Sequence, residues 1–289
     1  MQAYGLAYGK INLGLRILGK REDGYHDIET IFHRIRLADR LEFTKAEDVS
    51  IECSHPEVPT DARNLCYQAV TRLQEVTGNQ SGVRIALQKN IPVGAGLGGG
   101  SADAALVLRL LPRLWKRSIS EDVCHSIAAD LGSDVPFFLG SSSAHGTGRG
   151  ERLTFHQLAL PFTVVVCFPG TIVSTREAYA RIHEYKAWKP GMLWNEFGQF
   201  LNEGADCGCL GNDFEPLLFG SHPEIRNVKT LMLDQGAQCA FLSGSGSAVY
   251  GLFAEPAHAA KAANMLTGRY PLVHVTPSGF VPPPDRLVS

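Results

Sequence analysis

The sequence contains no CxxC pair, and its seven cysteines, at 53, 66, 124, 167, 207, 209 and 239, are an odd number spread over 289 residues. That spacing is neither a disulfide framework nor a zinc site, and Cys207 and Cys209 read as incidental thiols of a loop. No HExxH stands among the ten histidines, which disfavours a metalloenzyme built on His and Cys ligands. Charge of one sign is lacking: 27 Lys+Arg against 29 Asp+Glu leaves −2, with no global electrostatic footprint for nucleic acid. Long apolar runs are lacking too. The longest, 159–168, is interrupted by Pro161 and Thr163 and is far short of the ~20 residues that span a bilayer. At the start, MQAYGLAYGKINLGL has no basic segment ahead of an apolar block, because Lys10 interrupts it, so no signal peptide is expected. A soluble, cytoplasmic chain is expected, with neither membrane nor nucleic acid among its partners.

Glycine is in excess: 30 of 289 residues, against an average near 7%. At 44% apolar the chain can bury a real core, and its length suits one large domain or two ordinary ones. Alternation predicts two short strands over 3–18 with a break at Gly9-Lys10, and one or two more over 28–43. Further strands are expected over 83–87, 162–168 (a buried strand by composition), 239–242, 248–253 and 272–275. Helical spacing and caps predict helices over 64–76, 101–114 (opening on Ser101), 120–131, 174–182, 213–219, 223–233 and 255–266. Residues 140–150 read as a Ser/Gly-rich loop, 186–211 have too little periodicity to place, and 281–284 read as an extended surface segment. Strands and helices mix without strict βαβ alternation, which is the α+β class. The composition shift near residue 155 divides the chain into 1–155 and 156–289.

The glycines cluster where chemistry is expected. Pro92-Val93-Gly94-Ala95-Gly96-Leu97-Gly98-Gly99-Gly100-Ser101-Ala102-Asp103 runs straight into a helix start. Glycine lets the backbone approach a bulky anion, and a helix N-terminus offers unpaired N–H groups and the positive dipole end. This is the physics of a phosphate cradle. Gly94, Gly96 and Gly99 satisfy G-x-G-x-x-G, but the loop neither follows a strand directly nor opens a βαβ unit, so a dinucleotide fold is disfavoured. No GxxxxGK[ST] exists, because glycine precedes Ser101. Asp103 would repel a phosphate, so it either turns away or helps hold a metal ion; the sequence names no definite metal ligand, and Ser101 and Asp103 are candidates. Four other segments are ambiguous taken singly. Asp134, in DLGSDVPFF, is a turn residue or a placed acid. Lys10 is the solvent face of a strand or a functional cation. The stretch Ser243-Gly244-Ser245-Gly246-Ser247 is a loose hairpin or a small-residue lip under phosphates. Tyr25-His26 covers the core edge or stacks on a planar base.

Together these segments, in this order, resemble the GHMP kinases (galactokinase, homoserine kinase, mevalonate kinase and their relatives). KINLGL, RxDGYHDIET, GLGGGS and NDFEPL at 212–217 narrow the resemblance to the branch that phosphorylates a cytidyl-methylerythritol in the non-mevalonate route to isoprenoids. The resemblance implies two domains around a cleft, ribosomal-S5-like in the N-terminal half and ferredoxin-like in the C-terminal half. It implies small-molecule substrates only: ATP as co-substrate, with Mg2+, and a 2-hydroxyl as acceptor. It implies Asp134 as catalytic base with Lys10 as its partner. The loop from Pro92 through Ala102 would hold ATP, and Asn12, Tyr25 and His26 the cytidyl end, with Tyr179 as the aromatic from the second half.

Overall fold

The computed structural model describes residues 2–182, 188–203 and 207–285. The first half is built on two long paired strands, β1 (Gln2–Lys20) and β2 (His26–Ala46). β1 runs along one edge of β2. On the other edge, β4 (Gly82–Gln88) pairs with 40–46 and β5 (Ser143–Thr147) with 30–33. β3 (Val49–Cys53) lies parallel outside β4, and β6 (Arg152–His156) antiparallel outside β5. Helices α1 (Leu65–Thr77), α2 (Gly99–Trp115) and α3 (Glu121–Leu131) cover this sheet. The apolar faces of Leu41, Phe43, Val83 and Ile85 pack against Leu106, Leu110 and Leu111 of α2 in one core.

The second half is an antiparallel sheet, ordered β10 (Leu272–Thr276), β7 (Thr163–Phe168), β9 (Val249–Phe253) and β8 (Cys239–Leu242). β7 is buried on both faces, which is why its run TVVVCF shows no polar alternation. Val165 and Cys167 face α7 (Pro223–Asp234) and α8 (Pro256–Leu266). Val164, Val166 and Phe168 face Ile11, Leu13, Ile31 and Ile35 of β1 and β2. Three shorter helices complete this half: α4 (Thr175–Ala180), α5 (Leu193–Glu203) and α6 (Glu215–Ser221). The architecture is α+β with two sheets, as expected.

Several elements differ from the sequence expectation for local reasons. The two strands expected over 3–18 are one strand, and the expected break is a register shift between Tyr8 and Lys10. There the Lys10 amide donates to the Leu97 carbonyl (2.9 Å) rather than across the ladder, so the glycine loop plugs into a bulge. The stretch 140–150 is not all loop, because β5 occupies part of it. Small residues are required there: a Cβ on Gly146 would meet the Phe32 ring at 2.8 Å. β3 and β6, both sheet-edge strands, were not expected. The unplaced stretch 186–211 contains α5 and a 3-10 turn over Cys207–Leu210, with 186, 187 and 204–206 outside the described residues. The helix expected from Ser101 starts two residues earlier, at Gly99, with Gly98 as its N-cap in the left-handed region. Among the described residues no helix is long and apolar enough to cross a membrane.

Candidate active site

A cleft of about 1300 Å³ opens between the halves, lined by Lys10, Asn12, His26, the glycine loop and Asp134 from one and by Thr175, Tyr179 and Ser245 from the other. Lys10 lies at its centre with only 4% of its surface exposed. Its ammonium donates to Asn12 Oδ1 (2.6 Å), stands 3.4 Å from Asp134 Oδ2, and sits over the Phe32 ring at 5.4 Å. Asn12 is fixed in turn: its Nδ2 donates to Thr30 Oγ1 (2.9 Å), whose hydroxyl donates to the Gly14 carbonyl (2.6 Å). Asp134, half-buried, follows α3 and precedes the 3-10 turn Pro136–Leu139. A strand-borne lysine and a loop-borne carboxylate therefore converge from segments 124 positions apart in sequence (134 minus 10).

The glycine loop crosses above this pair. Gly98 has φ +70°, and no side chain caps the helix behind it, so the first amides of α2 face the cleft without intrahelical acceptors. The loop is pinned to the second half: Ser243 Oγ donates to the Gly96 carbonyl (3.0 Å) and the Ala248 amide to the Ala95 carbonyl (3.1 Å). The Asn12 amide donates to the same Ser243 Oγ (3.3 Å). The Ser243–Ser247 segment is thus a lip beneath the loop. NDFEPL holds that lip: Asn212 Nδ2 donates to the carbonyls of Leu242 (2.9 Å) and Gly244 (2.8 Å), and Glu215 accepts from the Leu242 amide (2.9 Å).

On the far side of Lys10, the His26 and Tyr179 rings stack with centroids 5.1 Å apart and 28° between planes. Tyr179 also meets Phe214 edge-on at 4.8 Å. Burial, with a smaller contribution from Lys20, pushes the His26 imidazole below its ordinary value, which favours a neutral ring. Burial and the Asp134 charge raise the Tyr179 phenol, so it stays protonated. Tyr25, 55% exposed, lies at the rim under the Arg149 guanidinium, 4.7 Å from its ring centroid.

All the sequence-expected site residues line this cleft except Ala102. Its amide closes the first turn of α2 on the Gly98 carbonyl (2.9 Å), and its side chain is buried. Asp103 turns away from the loop. It accepts from Lys89 Nζ (2.8 Å), which also donates to Asp39 (2.5 Å), and all three are nearly buried. Asp39 Oδ1 accepts the Asn90 and Ile91 amides (2.6 and 2.8 Å), tying the approach to the loop to β2. Burial, then the charge of Asp39, raises the Asp103 carboxyl; the two carboxylates hold Lys89 charged against burial. Asp103 Oδ2 is thus engaged by Lys89, and among the described residues no group of three His, Cys, Asp or Glu could hold a metal. Sequence reasoning missed this triad. It also missed the slot beyond the loop, lined by Val58, Pro59, Asn64 and Leu65, and the cleft-facing cations Lys20, Arg149 and Arg176. Of these residues only Asp103 carried a sequence signal, as a carboxylate beside the glycine loop.

The family model described as "GHMP kinases N terminal domain" matches residues 64–144, and "GHMP kinases C terminal" matches 192–272. A 4-diphosphocytidyl-2-C-methyl-D-erythritol kinase from Chloroherpeton thalassium is 42% identical over 95% of this chain and 97% of its own. Its counterpart from Prosthecochloris aestuarii is 43% identical over 95% and 96%. The crystal structure of a 4-(cytidine 5'-diphospho)-2C-methyl-D-erythritol kinase superposes with a TM-score of 0.80 at 38% identity, covering 94% of this chain and 98% of that one. Homoserine kinase from Cytophaga hutchinsonii, at 17% identity, shares the fold (TM-score 0.75; 96% and 95% covered). Identity of 42–43% over an alignment that covers 95% of the chain, with family models matched in both halves, shows that the chain belongs to the GHMP kinases and, within them, to the 4-diphosphocytidyl-2-C-methyl-D-erythritol kinase family.

Proposed function

We propose that this cleft transfers the γ-phosphoryl group of ATP to the 2-hydroxyl of 4-diphosphocytidyl-2-C-methyl-D-erythritol. The observation that carries the reading is the buried Lys10 ammonium, 3.4 Å from Asp134, beside the uncapped N-terminus of α2. The triphosphate lies along 94–101, its charge met by the first amides of α2. The purine extends into the slot between Val58, Pro59 and Leu65. The cytosine stacks on the His26–Tyr179 pair; at their observed spacing no third ring fits between them, so the base lies on an outer face. The acceptor hydroxyl then falls between Asp134 and the γ-phosphorus. Asp134 takes its proton as the new O–P bond forms, and the bond to the leaving ADP oxygen breaks. Lys10 stabilises charge on the transferring oxygens. Magnesium enters with the triphosphate, as part of the nucleotide substrate.

The test is ATP turnover with the cytidyl substrate, run beside mevalonate, homoserine and galactose, with phosphorus NMR of the products. A new phosphomonoester on the cytidyl substrate alone is expected. Turnover of another alcohol instead would overturn the substrate assignment.

A further inference from the structure

The turn after Asp134 is a wall shared by every part of the proposed reaction centre. The Phe138 ring lies directly under Gly98, where a Cβ would come within 2.9 Å of it. The Phe137 ring meets Phe32 at 5.1 Å, and Phe32 lies beneath the Lys10 ammonium. Asp134, Lys10 and the α2 N-terminus thus all rest on Pro136–Leu139.

Two guanidiniums meet at one carbonyl oxygen of this turn. Arg34, 8% exposed on β2, donates to the Phe138 carbonyl (2.6 Å) and to those of Gly140 (3.1 Å) and Phe137 (3.4 Å). Arg109, from α2, donates to the same Phe138 carbonyl. Two cations converge on one neutral oxygen. Burial, and then the neighbouring Arg109 charge, lowers Arg34 to about 9. Among the described residues one carboxylate lies within ion-pair distance of either guanidinium: Asp285, which accepts from Arg109 Nε (2.6 Å) and Nη2 (3.4 Å). It arrives from the other half of the molecule. After β10, the Gly279 amide donates to the Leu160 carbonyl (2.8 Å), and Phe280 packs against Tyr8 at 5.4 Å.

We propose that Asp285 is a positioning residue for phosphoryl transfer, holding the turn that carries Asp134 through Arg109 and the Phe138 carbonyl. This rests on the reading of Asp134 as the base. Without Asp285 the two guanidiniums face each other uncompensated. Arg109, the less buried of the two, swings toward solvent and releases the carbonyl. A displacement of about 1 Å at a reacting group can cost on the order of 10²-fold in rate. The glycine loop keeps its own ties to Ser243 and Ala248, so substrate binding changes far less than the rate.

The test compares Asp285→Asn, Asp285→Glu and Arg109→Lys with the wild-type chain, by steady-state kinetics and by amide hydrogen exchange resolved over 134–140. In Asp285→Asn and Arg109→Lys, kcat is expected to fall about tenfold or more, with both KM values within about twofold. Exchange should quicken over 134–140 and not elsewhere, and Asp285→Glu should restore most of the rate. A wild-type kcat in folded Asp285→Asn, or a lower melting temperature with unchanged kcat, would overturn the proposal. If the wild-type chain does not phosphorylate the cytidyl substrate, the functional reading fails and exchange alone decides. Quickening confined to 134–140 upholds the brace, and unchanged or uniformly quickened exchange overturns it.

Discussion

A lysine with 4% of its surface exposed is costly unless its charge is used. Lys10 has partners on three sides: the Asn12 oxygen, the Asp134 carboxylate and the Phe32 ring. None of these closes the side facing the cleft, which Lys10 lines. We expect Lys10→Ala and Asp134→Asn each to lower kcat by about 10²–10³, the usual loss for one preorganised group at a transition state. Circular dichroism would verify the fold, and a near-wild-type rate in either folded variant would remove that residue from the mechanism. Both residues are ambiguous taken singly, and they became candidates only through the order of motifs that resembles the GHMP kinases. Asp39, Lys89 and Asp285 did not become candidates. Asp39 stands 50 positions from Lys89 and Asp285 176 from Arg109, so nothing local marks them as partners. Asp103 was flagged as an anomaly beside a phosphate loop, but only the fold shows that Lys89 accounts for it.

At the scale of elements, the glycine loop owes its shape to two different demands. Gly96, at φ +76°, lies against the lip, where a Cβ would stand 2.2 Å from the Ser243 carbonyl oxygen. Both the conformation and the space require glycine. Gly100 already lies in α2, with only Leu65 Cδ1 near a built Cβ, at 3.9 Å. Gly96→Ala should therefore cost roughly 1–3 kcal/mol and raise KM for ATP, since the loop must shift off its seat. Gly100→Ala should hold or raise the melting temperature, because alanine is the better helix former. Equal melting temperatures for the two variants would contradict this assignment of roles. Elements with a strong period, such as α1 and α3, were legible, and β7 was legible as an unbroken apolar run. β5 (SAHGT) was not, because its small residues answer to the Phe32 ring across the sheet and not to strand propensity.

For the whole molecule, we propose that residues 1–155 and 156–289 are halves of topology but not of folding. The change of sheet falls between β6 and β7, close to the composition shift that suggested it. The apolar packing does not respect it. Ile11, Leu13, Ile31 and Ile35 from the first sheet share one core with Val164, Val166, Phe168 and Leu252 from the second. The segment after β10 then returns to α2 and closes the circuit. Neither half could keep its buried strands dry alone, so the chain should unfold in one step. Trp115 packs in the first core, while Trp188 and Trp194 pack across the boundary on Arg16, His145 and His156, so tryptophan fluorescence and circular dichroism should melt together. Leu13→Ala, a truncation inside the shared core, should cost about 2–5 kcal/mol and lower that common midpoint. Two separated transitions, only one of them moved by Leu13→Ala, would mean that the halves fold independently and that the cleft between them is a hinge between autonomous domains. A single transition moved as a whole would mean that the cleft walls are held by the same core that holds the fold, so Lys10, Asp134 and the α2 N-terminus are set in place before substrate arrives.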